Sequence, residues 1–216
     1  MKYKILKNDH LDIKHPVTKK PVRLYRIFAL KSFTSPAGEV VEGSIGGYIQ
    51  DESNLNQNDS SWLFNSAKIF DNALLVDSAL CDNAAAFQNA ILQDSIGRSY
   101  GQASGDCTVI ESTFTSGTTV KCARVERSKL LGSCRLEKNA EVIDSIIGDG
   151  VIVTDFAKVI RCELRDTTLV KGQSIIENCH YSGHTLINNG KYVNETRQTD
   201  LELNIEQQVL PASTTF

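Results

Sequence analysis

The sequence predicts an all-β fold, a three-sided β-solenoid whose short strands wind into stacked coils of about 17 residues. Two observations support this prediction. A small residue followed two positions later by an aliphatic one recurs along most of the chain, and Asn, Asp, Ser and Gly separate these pairs. Residues i and i+2 of a strand face the same side, so each pair points into a shared interior while the polar residues form corners.

Three columns of such pairs repeat with this same period, which predicts three strands per coil. The first column of small residues is Ala73, Ala90, Cys107, Ala123, Ala140, Ala157 and Ser174. The second is Ser78, Ser95, Ser112, Ser128, Ser145, Cys162 and Cys179, and the third is Ala67, Ala84, Gly101, Gly117, Cys134, Val151, Thr168 and Thr185. One coil cannot bury its own apolar side, so the coils must stack. About eight coils fit between residues 61 and 193.

The two ends of the chain depart from this period. Residues 1–60 predict an N-terminal β-hairpin cap, with strands at residues 22–30 and 39–42 and a turn at residues 35–38. Residues 61–193 form the predicted β-helix, and residues 194–216 a C-terminal cap or tail. A cap is expected because the first coil otherwise exposes unpaired backbone groups. No apolar run reaches the length of a membrane span and no signal peptide is evident, so we expect a cytoplasmic protein.

Cysteine and histidine are the residue types most relevant to chemistry. Four of the six cysteines occupy inward positions of the repeat and no CxxC spacing occurs, which favours packing over a disulfide or metal site. His180 occupies an outward position between Cys179 and Tyr181, with Asn178 nearby, so it is the candidate general base. His180 and His184 together lack a third metal ligand.

Outward positions also predict surface features. Arg124, Glu141 and Lys158 form a ladder of alternating charge on consecutive coils, which holds register and keeps the face soluble. Another column carries three apolar residues, which we call the apolar stripe: Ile152, Leu169 and Leu186. Stacked exposed apolar side chains often mark interfaces. We expect the stripe to bind a protein partner or a second copy, or to be covered by the tail through Leu201, Leu203 and Ile205.

Charge is unevenly distributed along the chain. Residues 1–31 contain nine Lys or Arg against two Asp, a net charge of +7, which leaves −10 for the rest of a chain whose total is −3. Within this segment, Lys19, Lys20, Arg23 and Arg26 define the basic cap. It is suited to a nucleic acid, an anionic membrane or an acidic protein surface. Nucleic acid is the less favoured partner because no sequence motif interleaves aromatic with basic residues.

One stretch resembles a known family. The segments Gly46-Gly47-Tyr48-Ile49, Asn54-Leu55 and Ser61-Trp62-Leu63-Phe64 lead into the first regular coil at residues 66–73. They are similar to the YdcK-like proteins of bacteria and phages over roughly residues 20–190. The resemblance implies a β cap followed by a left-handed β-helix related to the hexapeptide-repeat acyltransferases. The period itself leaves a right-handed, bactofilin-like helix open, because a coil of three ideal hexapeptides would be slightly longer.

Two functions follow as alternatives. The first is a rigid scaffold or binding protein without catalytic activity or cofactor. The second is a trimeric acyltransferase that uses acetyl-CoA, because the related enzymes place a histidine base in a cleft between subunits and bind acyl-CoA along the coil. Such enzymes often carry a long loop that leaves the helix, whereas the coils here run without a long insertion. The sequence therefore favours the scaffold, with His180 as the base only if the protein is an enzyme.

Overall fold

Three β-sheets, whose strands are parallel throughout the regular coils, run along the computed structural model, which describes residues 1–199 of the chain. Each coil contributes one strand to each sheet. The connections between consecutive strands from Trp62 to Thr199 contain two to four residues. The observed β-solenoid, with coils of about 17 residues, confirms the predicted fold class.

The sheets contain 11, eight and nine strands. Along the coils, the first sheet is built from Lys68–Ile69, Ala85–Ala86, Gln102–Ser104, Thr119–Lys121, Arg135–Glu137, Ile152–Val153, Leu169–Lys171 and Leu186–Asn188. The second is built from Leu74–Val76, Ile91–Gln93, Thr108–Ile110, Arg124–Glu126, Glu141–Ile143, Lys158–Ile160, Ile175–Glu177 and Lys191–Val193. The third is built from Trp62–Leu63, Ala79–Leu80, Ile96–Gly97, Thr113–Phe114, Lys129–Leu130, Ile146–Ile147, Glu163–Leu164, His180–Gly183 and Thr196–Thr199.

Five strands precede the regular coils. They are β1 (Tyr3–Lys14), β2 (Pro21–Ala29), β3 (Phe33–Ser35), β4 (Gly38–Val40) and β5 (Ile45–Ile49), followed by a 3-10 helix at Glu52–Asn54. The strand expected at residues 22–30 corresponds to β2, but its hairpin partner is β1, while β3 and β4 form a smaller hairpin. β5 pairs antiparallel with β2 and parallel with Lys68–Ile69. The cap therefore supplies the first strand of the solenoid and brings the number of coils to about nine.

The inward columns form a continuous core, with one exception to the predicted register. In the third column, Thr118 and Val120 are the buried pair of the fifth coil, in place of the predicted Gly117 and Thr119. The step from Val120 to the equivalent residue of the next coil, Leu136, is correspondingly shorter than the step between most neighbouring coils. The sequence pattern missed this shift because Gly117 is small enough to fit the column equally well.

Gly97 lies where the neighbouring coils carry the large inward side chains of Leu80 and Phe114, and the structure explains the glycine. A Cβ atom there would lie 2.4 Å from Phe114 Cζ and 2.6 Å from Leu80 Cδ2. Phe114 occupies the equivalent position of the next coil, and its ring fills the space above Gly97. Interiors are close-packed, so the two positions share one large side chain between them.

A ladder of serine and cysteine side chains lines one corner of the core. Each hydroxyl accepts a hydrogen bond from the N–H of the equivalent residue one coil later, as from Ser128 to Ser112 Oγ at 2.9 Å. The same hydroxyl donates to the carbonyl two residues before it, as Ser112 does to Ile110 at 2.6 Å. Cys162 continues the pattern, accepting from the Cys179 N–H at 3.4 Å. The small residues of the second column thus satisfy buried backbone groups where the chain turns.

The coil pairing continues past residue 193, where the sequence predicted the tail to begin. The strand Thr196–Thr199 pairs in parallel with His180–Gly183. At this end the buried Tyr181 hydroxyl donates to Glu195 Oε2 at 3.0 Å, and Arg197 forms an ion pair with the same carboxylate at 2.7 Å. Polar side chains therefore close the last described coil. The predicted tail contacts of Leu201, Leu203 and Ile205 lie outside the described residues.

Candidate functional site

His180, the candidate base, lies on the outer face of the third sheet. Its side chain is 60% exposed, and its Nδ1 is 3.5 Å from Glu163 Oε2 on the preceding coil. Glu163 also accepts a hydrogen bond from Arg165 Nε at 2.6 Å, and this bond is the main reason that the pKa of Glu163 is lowered. The carboxylate of Glu163 therefore lies beside one nitrogen of an imidazole that is largely exposed to solvent.

The surroundings of His180 form a shallow groove of about 300 Å³, which Arg165, Ser182, Arg197 and Gln198 also line. Two neighbours expected to assist His180 have structural roles instead. The Tyr181 hydroxyl lies in the core, and burial raises its pKa. The Asn178 side chain accepts a hydrogen bond from Arg161 Nε on the preceding coil at 2.8 Å. The groove therefore presents a histidine and ion-paired arginines without a tyrosine acid.

His184 belongs to a different surface feature. It hydrogen-bonds through Nδ1 to the Thr167 hydroxyl one coil earlier, at the corner that follows the third sheet. Among residues 1–199, no group of three or more His, Cys, Asp or Glu side chains is placed to hold a metal ion. His180 and His184 thus have separate partners, Glu163 and Thr167.

The cysteines that the sequence placed in the core are buried there. All six thiols are free, and Cys107, Cys134, Cys162 and Cys179 lie in the inward columns. Burial raises the pKa of Cys107 to about 12 and the pKa values of Cys134 and Cys162 to about 11. A buried, protonated thiol is a poor nucleophile. These cysteines contribute packing and, at Cys162 and Cys179, hydrogen bonds of the corner ladder.

The apolar stripe lies on the outer face of the first sheet. Ile152, Leu169 and Leu186 are directly opposite one another on consecutive strands, and each is half-buried. The same column continues towards the cap through Arg135 and Thr119. The stripe is therefore a contiguous apolar segment of this column, and its neighbours on the cap side, Arg135 and Thr119, are polar.

The charged ladder of the second sheet has a different pairing from the one expected. Arg124, Glu141 and Lys158 are directly opposite one another, as the register predicted, and Lys158 Nζ is 3.0 Å from Glu141 Oε1. Arg124, however, pairs with Glu126 two residues along its own strand at 2.7 Å. Side chains i and i+2 of a strand share a face, so this shorter reach competes with the cross-strand pair.

The residues of the basic cap are separated in space. Lys19 and Lys20 are exposed at the tip of the β1–β2 hairpin, and Lys19 Nζ donates to the Pro16 carbonyl at 2.5 Å. Arg23 forms a two-point ion pair with Asp12, with Nε 2.7 Å from Oδ1. Arg26 lies against β5, where its Nη1 donates to the Gly46 and Asn65 carbonyls. Two lysines of the four therefore remain without a carboxylate partner in this segment.

A contact that the sequence analysis missed holds this hairpin against the coils. Phe70 and Phe87 occupy the same outward position on consecutive coils, stack with their ring centroids 5.0 Å apart, and are buried under the hairpin. The sequence did contain a signal for this contact: two phenylalanines lie one coil apart at a position that should face outward.

His15 secures the hairpin over these rings. Its Nε2 lies 2.9 Å from Asp71 Oδ2, and its Nδ1 accepts hydrogen bonds from the Val17 and Thr18 N–H groups at 3.0 Å each. The two bonds at Nδ1 make Nε2 the protonated nitrogen, which donates to Asp71. The imidazole lies edge-on to Phe70, with centroids 5.6 Å apart. The cap therefore packs on the outer face of the solenoid as well as on its end.

Comparison with known proteins adds one finding. Residues 97–180, which are 84 of the 216 residues, match the family model described as GlmU-like, C-terminal hexapeptide. The matched residues lie within the regular coils, so this part of the chain is similar to a hexapeptide-repeat β-helix. This match and the three parallel sheets are consistent with the left-handed coil implied by the resemblance. No curated protein matches the chain. Among residues 1–199, no helix has the length and hydropathy of a membrane span.

Proposed function

We propose that the protein is a rigid β-solenoid scaffold without catalytic activity of its own, which associates with copies of itself through the apolar stripe. The stacking of Ile152, Leu169 and Leu186 on three consecutive coils is the observation that carries this proposal. Parallel sheets with short connections give a stiff rod, so apolar side chains at fixed spacing form a flat, preorganised contact surface. A second copy that covers the stripe removes this apolar area from water.

Two further features support a binding role. The groove around His180 is open to solvent, whereas catalytic sites usually exclude water around the reacting groups. Hexapeptide-repeat proteins often self-associate, and a trimer is the assembly that this relationship favours. The Gly46-Gly47-Tyr48 junction further favours the YdcK-like group of bacteria and phages, and with it a cytoplasmic protein.

The mass of the protein in solution tests this proposal. Light scattering on the wild-type chain should give a multiple of the 23.8 kDa monomer mass. Leu169→Glu places a charge in the centre of the stripe and should reduce the mass to that of the monomer. Thr119→Glu is the matched control, because Thr119 is an outward residue of the same column three coils away. A monomeric wild-type protein, or an oligomer that Leu169→Glu leaves intact, contradicts the proposal.

The alternative function is an acyltransferase that uses acetyl-CoA, with His180 as its general base. The position of His180 Nδ1, 3.5 Å from Glu163 Oε2, favours it, because a carboxylate beside one imidazole nitrogen helps to orient the ring. Thermal unfolding with and without millimolar acetyl-CoA tests this function, since a ligand that binds the native state raises the melting temperature. A clear increase that His180→Ala removes and His184→Ala retains supports the enzyme. An unchanged melting temperature contradicts it.

A further inference from the structure

The outer face of the cap carries a row of basic and aromatic side chains that come from separate segments of the sequence. Four neighbouring strands share this face: β1, β2, β5 and Lys68–Ile69. Arg26 is directly opposite Tyr48, and Tyr48 is directly opposite Lys68. Lys4 and Phe28 form a further opposite pair two residues along β1 and β2. Directly opposite residues point to the same side of a sheet. We call these five residues the cation–aromatic row.

The alternate residues of the same strands confirm which side the row occupies. Ile27, Ile49 and Ile69 are fully buried in the solenoid core. Neighbouring residues of a strand point to opposite faces, so the row faces away from that core. Lys4 is exposed, while the Phe28 and Tyr48 rings are half-buried. Tyr48 also packs against the cluster of Leu24, Phe70 and Phe87 under the hairpin, so solvent reaches only part of its side chain. The row as a whole lies on a surface that the paired strands keep rigid.

Each ring of the row has a cation beside it. Lys4 Nζ is 4.8 Å from the centroid of the Phe28 ring. The Arg26 guanidinium is 4.2 Å from the centroid of the Tyr48 ring, and its hydrogen bonds to the Gly46 and Asn65 carbonyls hold it in place. Positive charge and aromatic surface thus alternate across the four strands. This is the interleaving that the linear sequence lacks, because the residues come from four separate segments.

The row has more positive charge than its acidic neighbours balance. Asp9 Oδ2 is 3.8 Å from Arg26 Nε, at the limit of an ion pair. Lys68 Nζ donates to the Ser66 carbonyl at 2.9 Å. Burial lowers the pKa of Lys68, and repulsion from Arg26 lowers it further. In the part of the chain that the structure describes, neither Lys4 nor Lys68 forms an ion pair with a carboxylate. An anion bound between these cations relieves that repulsion.

We propose that the cation–aromatic row binds single-stranded nucleic acid. Lys4, Arg26 and Lys68 neutralise backbone phosphates, and the rings of Phe28 and Tyr48 offer surfaces for unpaired bases. A flat sheet that combines cations with aromatic rings is the arrangement that proteins use for single strands, because every base has a π-face. Paired bases of a duplex cannot reach such rings without unstacking. The net charge of +7 in residues 1–31 attracts the strand over a longer range.

Fluorescence anisotropy of a labelled 12-nucleotide single-stranded DNA of mixed sequence tests the proposal on the full chain. Three phosphate contacts predict a salt slope of about −0.7 per contact, so raising the salt from about 50 to 200 mM should weaken binding about 20-fold. The double variant Lys4→Gln/Lys68→Gln should weaken binding at 50 mM salt and reduce the slope. Lys19→Gln/Lys20→Gln is the matched control, since it removes the same charge from the hairpin tip, away from the row.

Phe28→Leu separates base stacking from charge. It keeps an apolar side chain under Lys4 but removes the ring, and loss of stacking on one base should weaken binding at least about 5-fold. The thermal unfolding of each variant shows whether the cap remains folded. Absence of binding at 50 mM salt overturns the proposal. An equal loss of affinity from Lys19→Gln/Lys20→Gln also overturns it. So does normal binding by Phe28→Leu together with competition by a duplex or heparin as strong as that by the single strand, because this result indicates a general polyanion surface.

Discussion

The serine ladder makes a quantitative prediction about stability. The Ser128 N–H donates a hydrogen bond of 2.9 Å to Ser112 Oγ, and Ser128 is only 2% exposed. Ser112→Ala removes this acceptor. The Ile110 carbonyl loses the Ser112 hydroxyl but keeps the Arg127 N–H at 3.0 Å. The main loss is therefore one unsatisfied buried donor, which costs about 1–3 kcal/mol of unfolding free energy. For a chain of this size, that lowers the melting temperature by about 2–12 °C.

The chain itself suggests the matched variant for this test. Cys162 occupies the same ladder position as Ser112, and its Sγ accepts from the Cys179 N–H while donating to the Ile160 carbonyl at 3.1 Å. Ser112→Cys should therefore lose less than half as much stability as Ser112→Ala. Ser133→Ala, at an exposed corner, should change the melting temperature by no more than about 1 °C.

Thermal unfolding followed by circular dichroism measures all three variants of this series. The reasoning is refuted if Ser112→Ala melts with the wild-type protein. It is equally refuted if Ser112→Cys loses as much stability as Ser112→Ala, because the side chain would then contribute volume and no hydrogen bond.

Three further predictions concern the core, the cap and the thiols. Gly97→Ala should destabilise the protein by about 1–3 kcal/mol, because its Cβ would lie 2.4 Å from Phe114, and adding Phe114→Leu should restore part of the loss in denaturant unfolding. His15→Ala should raise amide hydrogen exchange in residues 10–24 far more than in the coils, and uniform exchange across the protein contradicts the role of His15 in holding the hairpin on the coils. Burial raises the pKa of Cys107 from 9.0 to about 12, so its contribution to stability is complete below pH 9 and is lost as the pH rises to about 12. At pH 8, a thiol reagent should label the half-buried Cys122 before Cys107, and the opposite order contradicts this assignment.

The sequence was sufficient to predict the coils because their spacing is a local property. Side chains alternate along a strand and each coil repeats the last, so small and aliphatic residues recurring once per coil specify both the inward face and the stacking. The same register correctly paired Arg124 with Glu141 across strands, although it did not predict that Arg124 forms its ion pair with Glu126. The predicted register was also wrong by one residue for one inward pair, Thr118 and Val120, because Gly117 is small enough to fit the column as well.

The cap could not be predicted in the same way, because it contains no repeat. Its strands are antiparallel, and the pairing of β1 with β2 depends on which distant segments fit together. His15 and Asp71 are 56 residues apart, and the cation–aromatic row draws residues from four separate strands. Such non-local contacts leave no periodic trace in the sequence.

By itself, then, the sequence determined that this chain forms a three-sided β-solenoid and which side chains fill its interior. The tertiary structure alone decided how the cap packs on the outer face and which basic residues remain without carboxylate partners. It also decided that Phe28 and Tyr48 lie beside those cations. The physical reason is that burial in a repeat is specified coil by coil, whereas surface chemistry depends on residues brought together from distant parts of the chain.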